Sequence, residues 1–244
     1  MSKLFSTPEQ LTSISDILTG YLKLPFSGDS IPGALMENVI GNVRAGEVLN
    51  TYDFVDVVNI NDQVGWQIKS TKASTPVTWK RAKIPKSQEL IKDSNSSIEG
   101  LQALGNAILK FCNDHAIESL DKYNLNEIGF SRLIVHPNRH LTYFEKALCS
   151  RTSPNIFNEN EFEWKWSIPK KTTKKEQLPA LHGTHKQTQQ KWFAWHGLGE
   201  NQLHFSGEKA WWPTSHKHKI DFSFPSDRLS QDQLMKLLRQ ISSI

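Results

Sequence analysis

The sequence predicts a mixed α/β (α+β) protein: a central mixed β-sheet flanked by helices, with a β-rich C-terminal extension. Three observations carry this reading. Apolar residues recur at helical spacing in three distant segments, around residues 11–22, 98–112 and 234–241. Runs of β type lie between them at 52–58, 65–71, 128–136 and 141–149. Beyond Arg151 the composition shifts, and six of the eight tryptophans and six of the nine histidines lie past residue 160.

Taken in order, Thr7-Pro8-Glu9 opens a first helix with a hydroxyl N-cap, proline at N1 and an early acid. Leu11, Ile14, Leu18, Tyr21 and Leu22 form its apolar face. A Gly/Ser/Pro loop at 27–33 leads to a second helix over 34–45, which Gly46 ends. The runs 52–58 and 65–71 read as strands, joined by the polar hairpin loop 59–63. Residues 72–95 are basic and turn-rich, punctuated by Pro76 and Pro85. Ser96-Ser97-Ile98-Glu99 has the form of a capping box. It opens a helix over 97–117 on Ile98, Leu101, Leu104, Ile108, Phe111 and Cys112. Strands 128–136 and 141–149 turn at Pro137-Asn138-Arg139. Strands at 191–196, 202–212 and 219–224 follow, then an amphipathic helix over 230–244 on Leu234, Leu237, Leu238 and Ile241. Both faces of 192–196 are apolar, which predicts a buried strand. The whole reads as one domain over 1–244. Its core spans about 30–150, and 151–244 is an aromatic, basic extension that completes the core.

Composition narrows the class. Hydrophobic residues make up 37% and charged residues 22%, ordinary for a globular chain able to bury a core. No run approaches the roughly 18 apolar residues of a membrane span, and residues 1–8 have no apolar h-region of an export signal. Cys112 and Cys149 are too few for a disulfide framework or a cysteine zinc cage. The expectation is a reduced, cytoplasmic protein. The net charge of +4 is modest, but its distribution is uneven. Lys69, Lys72, Lys80, Arg81, Lys83 and Lys86 occur with no acid among them, and residues 165–191 hold seven lysines against Glu176. Such runs suit a phosphate backbone, or simply a solvated surface.

Phosphodiester hydrolysis needs a divalent cation on hard oxygen ligands and a cation that orients the attacking water. The predicted hairpin supplies both. Alternation places Gln67 and Lys69 on one face. A fold about Asp62 sets Asp56 opposite Ile68, so the Asp56 carboxylate, the Gln67 side-chain oxygen and the Ile68 carbonyl converge on one ion. Lys69 then lies beside the reacting water. Asp53 and Asp56 are three apart and face opposite sides of a regular strand, so Asp56 is the ligand in register.

At these residues the sequence resembles the PD-(D/E)xK nuclease superfamily: Asp56 on one strand, then Gln67-Ile68-Lys69 on the next. Glu37, in Ala34-Leu35-Met36-Glu37-Asn38, fits the glutamate that members often carry on the preceding helix. The order helix, strands, helix, strand over about 30–140 matches the superfamily core. Gln67 stands where a carboxylate is commonest, so Glu37 is expected to carry more of the metal's charge. Gln-x-Lys variants occur in the superfamily, including among restriction enzymes. The resemblance implies a restriction-endonuclease-like core, Mg2+ as cofactor and double-stranded DNA as substrate. For a stand-alone chain of this size it implies a type II restriction endonuclease, a homodimer in a prokaryotic cytoplasm. A repair or junction-resolving nuclease of the same fold, and a non-catalytic DNA-binding protein, stay as alternatives.

Further contacts to DNA are expected from Lys72, Thr78, Lys80, Arg81 and Lys83, just after the hairpin. Trp79 among them reads equally as a base contact or a core anchor. Lys186, Gln187 and Gln190 suit base edges. The pairs His182/His185 and His216/His218 lack zinc spacing and are expected to face solvent or DNA. His136-Pro137-Asn138-Arg139-His140 hints at a His-Asn-His nuclease but lacks its strand–helix pattern. No P-loop for ATP occurs.

Overall fold

The computed structural model describes residues 3–171, 176–207, 211 and 216–243. In chain order its elements are α1 (Pro8–Lys23), α2 (Gly33–Val43), β1 (Glu47–Val48), β2 (Val57–Asn59), β3 (Val64–Lys72), β4 (Val77–Arg81), α3 (Ser87–Ser94), α4 (Ile98–Lys122), β5 (Glu127–Val135), β6 (His140–Ser150), β7 (Phe162–Trp166), β8 (Lys170–Lys171), β9 (Glu176–Gln177), β10 (Leu181–His185), β11 (Gln190–Trp195), β12 (Gln202–Phe205), β13 (Lys219–Ser223) and α5 (Gln231–Ile241). The protein is thus mixed α/β, with five α-helices, one mixed sheet, one five-stranded antiparallel sheet and the two-stranded β8–β9 ribbon among the described residues. None of these helices is long and apolar enough to cross a membrane.

The chain divides into two compact units, each assembled from separate segments. The first comprises Met1–Thr75, Glu127–Leu148 and Pro213–Ile244. Its six-stranded sheet has the order β1-β2-β3-β5-β6-β13. β3 and β5 pair in parallel from Val64↔Glu127 to Lys72↔Val135. β1–β2, β2–β3 and β6–β13 are antiparallel. A parallel pair requires a long crossover, here residues 73–126. Thr7 caps α1 in a full capping box with Gln10, so the expected helix start is realised. Leu11, Ile14 and Leu18 of α1 and Met36 and Ile40 of α2 pack with Trp66, Ile68, Leu133 and Tyr143 of the sheet. Each such side chain contributes roughly 1.5–3 kcal/mol of burial.

A buried ion pair completes this core. Arg44 and Glu145 are 5% and 2% exposed at the side chain and lie 3.4 Å apart. The Ser6 N–H and hydroxyl and the Tyr143 hydroxyl all donate to Glu145, and Arg44 donates to Ser6 Oγ and the Lys3 carbonyl. Arg44 also stacks 4.5 Å over the Trp66 ring. Burial, and then the Glu145 charge, hold the Tyr143 hydroxyl well above the usual phenol range.

The second unit comprises Pro76–Asn126 and Cys149–Trp212. Its antiparallel sheet has the order β4-β12-β11-β10-β7. Trp79, Phe157, Phe162, Trp164, Phe193 and Phe205 are buried and in ring contact with one another. α4 packs on β7: Gln102 Nε2 donates to the Phe162 carbonyl at 3.1 Å, and Gly105 lies flat against the Trp164 indole.

Several sequence expectations are corrected. The strand expected at 52–58 is only Val57–Asn59, because residues 51–56 run in bends held by local bonds such as Thr51 Oγ1 to Asp53 Oδ2. Ser97, which accepts the Gly100 N–H, is the N-cap of α4, so Glu99 sits at the second helical position and closes no capping box. α4 runs on to Lys122. The turn-rich stretch 72–95 contains β4 and α3, and the lysine-rich stretch 165–191 contains β8, β9 and β10. Of the strand expected at 202–212, residues 202–205 are extended, and 208–210 and 212 lie outside the described residues. α5 forms as expected, yet Leu237, Leu238 and Ile241 on its apolar face are exposed.

Candidate active site

Three elements of the first unit set the site: α2, β2 and β3. β2 and β3 form the hairpin, with Val57 opposite Trp66 and Asn59 opposite Val64. The Asp56 N–H donates to the Trp66 carbonyl at 2.8 Å, although Trp66 already partners Val57. The ladder therefore slips by one residue at Asp56, a bulge-like irregularity. Asp56 is consequently not simply opposite Ile68, as a regular hairpin about Asp62 requires. Instead its side chain turns inward, and Oδ2 accepts the Ile68 N–H at 2.6 Å. The same oxygen lies 3.4 Å from Lys69 Nζ. In extended backbone the N–H and C=O of one residue leave the same edge of the strand, so the Ile68 carbonyl also faces the Asp56 edge.

Gln67 and Lys69 share a face of β3, and Trp66 and Ile68 point into the helical core. Gln67 is only 2% exposed, and its Oε1 is buried without a hydrogen-bond partner. A buried orphan acceptor is costly, roughly 1–3 kcal/mol, and its oxygen is a donor atom for a cation. Glu37 comes from α2, which packs against β3. Burial raises its carboxyl above the usual range, the Asp56 charge raises it further, and Lys69 opposes both. Glu37 thus shares one electrostatic environment with Asp56 and Lys69. Asp53 Oδ2 accepts the Thr51 hydroxyl at 2.7 Å.

The donor set is two carboxylates and an amide oxygen, with a backbone carbonyl at the same edge. All are hard oxygens, the ligand type that Mg2+ selects. Among the described residues no group of three or more His, Cys, Asp or Glu side chains is placed to hold a metal. Gln67 Oε1 is a buried amide oxygen that could stand in for a third carboxylate.

The other predicted residues are dispersed. Lys72 ends β3 and is exposed. In the second unit Thr78 and Arg81 of β4 and Lys83 beyond it are exposed. Lys80 lies 2.8 Å from His115 Nδ1, and Trp79 between them is a core anchor, 2% exposed. Lys186, Gln187 and Gln190 are exposed around the β10–β11 turn, where Lys186 Nζ donates to the Asn160 carbonyl. His185 is buried and stacks on Trp192, and His218 stacks on Phe5. His136 and His140 tie strands together: His136 Nε2 is 3.0 Å from Thr142 Oγ1, which donates to Asp221. The side chain of His216, and Lys174 and Lys175 of the lysine-rich stretch, lie outside the described residues. Sequence reasoning passed over the open face of the second sheet, because a bulge in each of two strand pairs hides its register.

Compared with known proteins, the chain matches no family model, no curated protein and no solved structure.

Proposed function

We propose that this protein is a Mg2+-dependent DNA endonuclease of the PD-(D/E)xK type, with Glu37, Asp56, Gln67 and Lys69 as its catalytic set. One observation carries the reading: Asp56 meets Lys69 at 3.4 Å, and Gln67, on the Lys69 face of β3, has a buried oxygen that lacks a partner. The topology supports a restriction-endonuclease-like core. β1, β2 and β3 form an antiparallel meander, and β5 then joins β3 in parallel after a helical crossover.

Glu37, Asp56, the Gln67 oxygen and the Ile68 carbonyl would hold the cation. When bound, Mg2+ supplies positive charge to the phosphate and lowers the pKa of coordinated water. Asp56 orients Lys69 through the ion pair and is itself pinned by the Ile68 N–H. Lys69 orients the attacking water and faces the negative charge that develops on the phosphoryl oxygens. The water oxygen bonds to phosphorus and gives up one proton, one ester P–O bond breaks, and the departing oxygen takes up a proton, so the step consumes none overall. Thr78, Arg81 and Lys83, with Lys186, Gln187 and Gln190, are exposed donors for backbone and bases. Type II restriction cleavage by a homodimer is the finer form of this reading, and rests on chain size and the sequence resemblance.

The test is incubation of the purified protein with long duplex DNA, with Mg2+ and with EDTA. Discrete Mg2+-dependent fragments support a restriction enzyme. Cutting confined to branched or damaged DNA points to a resolving or repair enzyme. Retardation without cleavage under any metal condition removes the nuclease reading.

A further inference from the structure

The sheet of the second unit has one aromatic face and one open face, and the open face has a distinct chemistry. Strand register places Lys165, His182, Ala194, His204 and Thr78 in a single row across all five strands. The small Ala194 at the centre leaves a depression of about 260 Å3. His182, His196, His204, Lys191, Ser167 and Ser206 contribute to its wall together with the apolar Ile168 and Leu178, and among the described residues that wall contains no aspartate or glutamate. His196 and His204 have ring centroids only 4.7 Å apart.

We propose that this face docks the phosphate backbone of duplex DNA through its imidazoles, taking up protons as it binds. The inference goes beyond the endonuclease reading and shares with it only that the partner is DNA. Charge complementarity carries it. The wall offers imidazole, ammonium and hydroxyl groups, the set that phosphate oxygens accept from. Burial first, and then His196, hold His204 below the usual histidine range; Lys191 acts in the same direction and Glu200 opposes it. Lys165 and Glu163, two apart on β7, lie on the same side of the sheet. A phosphodiester brought against the row supplies the missing negative charge and favours the imidazolium forms. Affinity must then rise as pH falls, by up to about tenfold per pH unit for each proton taken up.

The test is fluorescence anisotropy of a labelled DNA duplex with the full-length protein in EDTA, so that no cleavage intervenes. Measurements at about pH 6 and about pH 8 bracket the ordinary histidine value. The wild type is expected to bind at least about tenfold more tightly at the lower pH. The variant His182→Gln/His196→Gln/His204→Gln is expected to lose that pH dependence and to weaken about tenfold at the lower pH. Lys191→Ala should reduce the slope of log affinity against log salt by about one. These side chains are half-exposed or exposed, and matched melting curves verify that each variant folds. A triple variant with wild-type affinity and pH dependence overturns the proposal. Binding of inorganic phosphate at this face with no binding of duplex also overturns it. If the Asp56 variants described below cut normally while the anisotropy result holds, the endonuclease reading falls and this surface stands.

Discussion

Replacing Asp56 by asparagine and by alanine separates what its carboxylate does for the fold from what it does for chemistry. Oδ2 accepts the Ile68 N–H at 2.6 Å and lies 3.4 Å from Lys69 Nζ. A hydrogen bond to a charged group contributes roughly 1.5–3 kcal/mol. The ion pair adds about 0.5–1 kcal/mol after solvent screening, because the two side chains are 24% and 20% exposed. Asp56→Ala removes both and should cost roughly 2–4 kcal/mol of stability. Asp56→Asn keeps a neutral acceptor for Ile68 and should cost only about 1–2 kcal/mol. Both variants should lose at least about a hundredfold in cleavage rate. The assay pairs thermal melting with plasmid cleavage, each with and without Mg2+. At ten times its dissociation constant, Mg2+ should stabilise the wild type by about 1.4 kcal/mol and leave both variants unmoved. If Asp56→Asn cuts within a few-fold of wild type, or gains as much from Mg2+, Asp56 is only a structural clasp for Ile68 and the site is misassigned.

Three further predictions probe the site and its frame. Gln67→Glu places a buried third carboxylate beside Asp56, so it should melt lower in EDTA, gain more than wild type from Mg2+, and still cut; inactivity in a folded Gln67→Glu protein removes Gln67 from the ligand set. Glu37 has a raised folded pKa, so its protonated form favours the fold; that contribution is present below the ordinary glutamate range and lost as pH rises through the folded value. Glu37→Gln should therefore raise the melting temperature in EDTA at neutral pH, and the Mg2+ needed for half-maximal wild-type cleavage should climb as pH falls through the Glu37 titration; no change in either measurement separates Glu37 from the site. In the frame, Gly105→Ala improves helix propensity by roughly 1 kcal/mol but drives a methyl into the Trp164 indole, so a net loss of about 1–3 kcal/mol is expected in denaturant melts.

Much of this arrangement is legible in the sequence. Alternation in Gly65-Trp66-Gln67-Ile68-Lys69 separates an apolar pair from a polar pair, and the structure sends Trp66 and Ile68 into the core and keeps Gln67 and Lys69 together. The capped start of α1 is equally plain, because Thr7, Pro8 and Gln10 act within one turn. The stretch 72–95 was illegible as β4 and α3 for a different reason. β4 is short and exists by pairing with β12, about 120 residues later in the chain, a contact that no local pattern announces. The histidine row was hidden in the same way, since its members come from five strands brought into register by pairing across bulges.

What the sequence alone determined is the chemistry of each face and the order of the elements, because pleat and helix periods act over a few residues. What only the tertiary structure decided is where those faces meet. The slip of the ladder at Asp56 turns its carboxylate onto the Ile68 N–H and Lys69, and the packing of α2 on β3 brings Glu37 into their field. Both depend on contacts between residues 12 to 32 positions apart. Their geometry is set by how the helices and strands pack together, and side-chain spacing within one element contains no information about it.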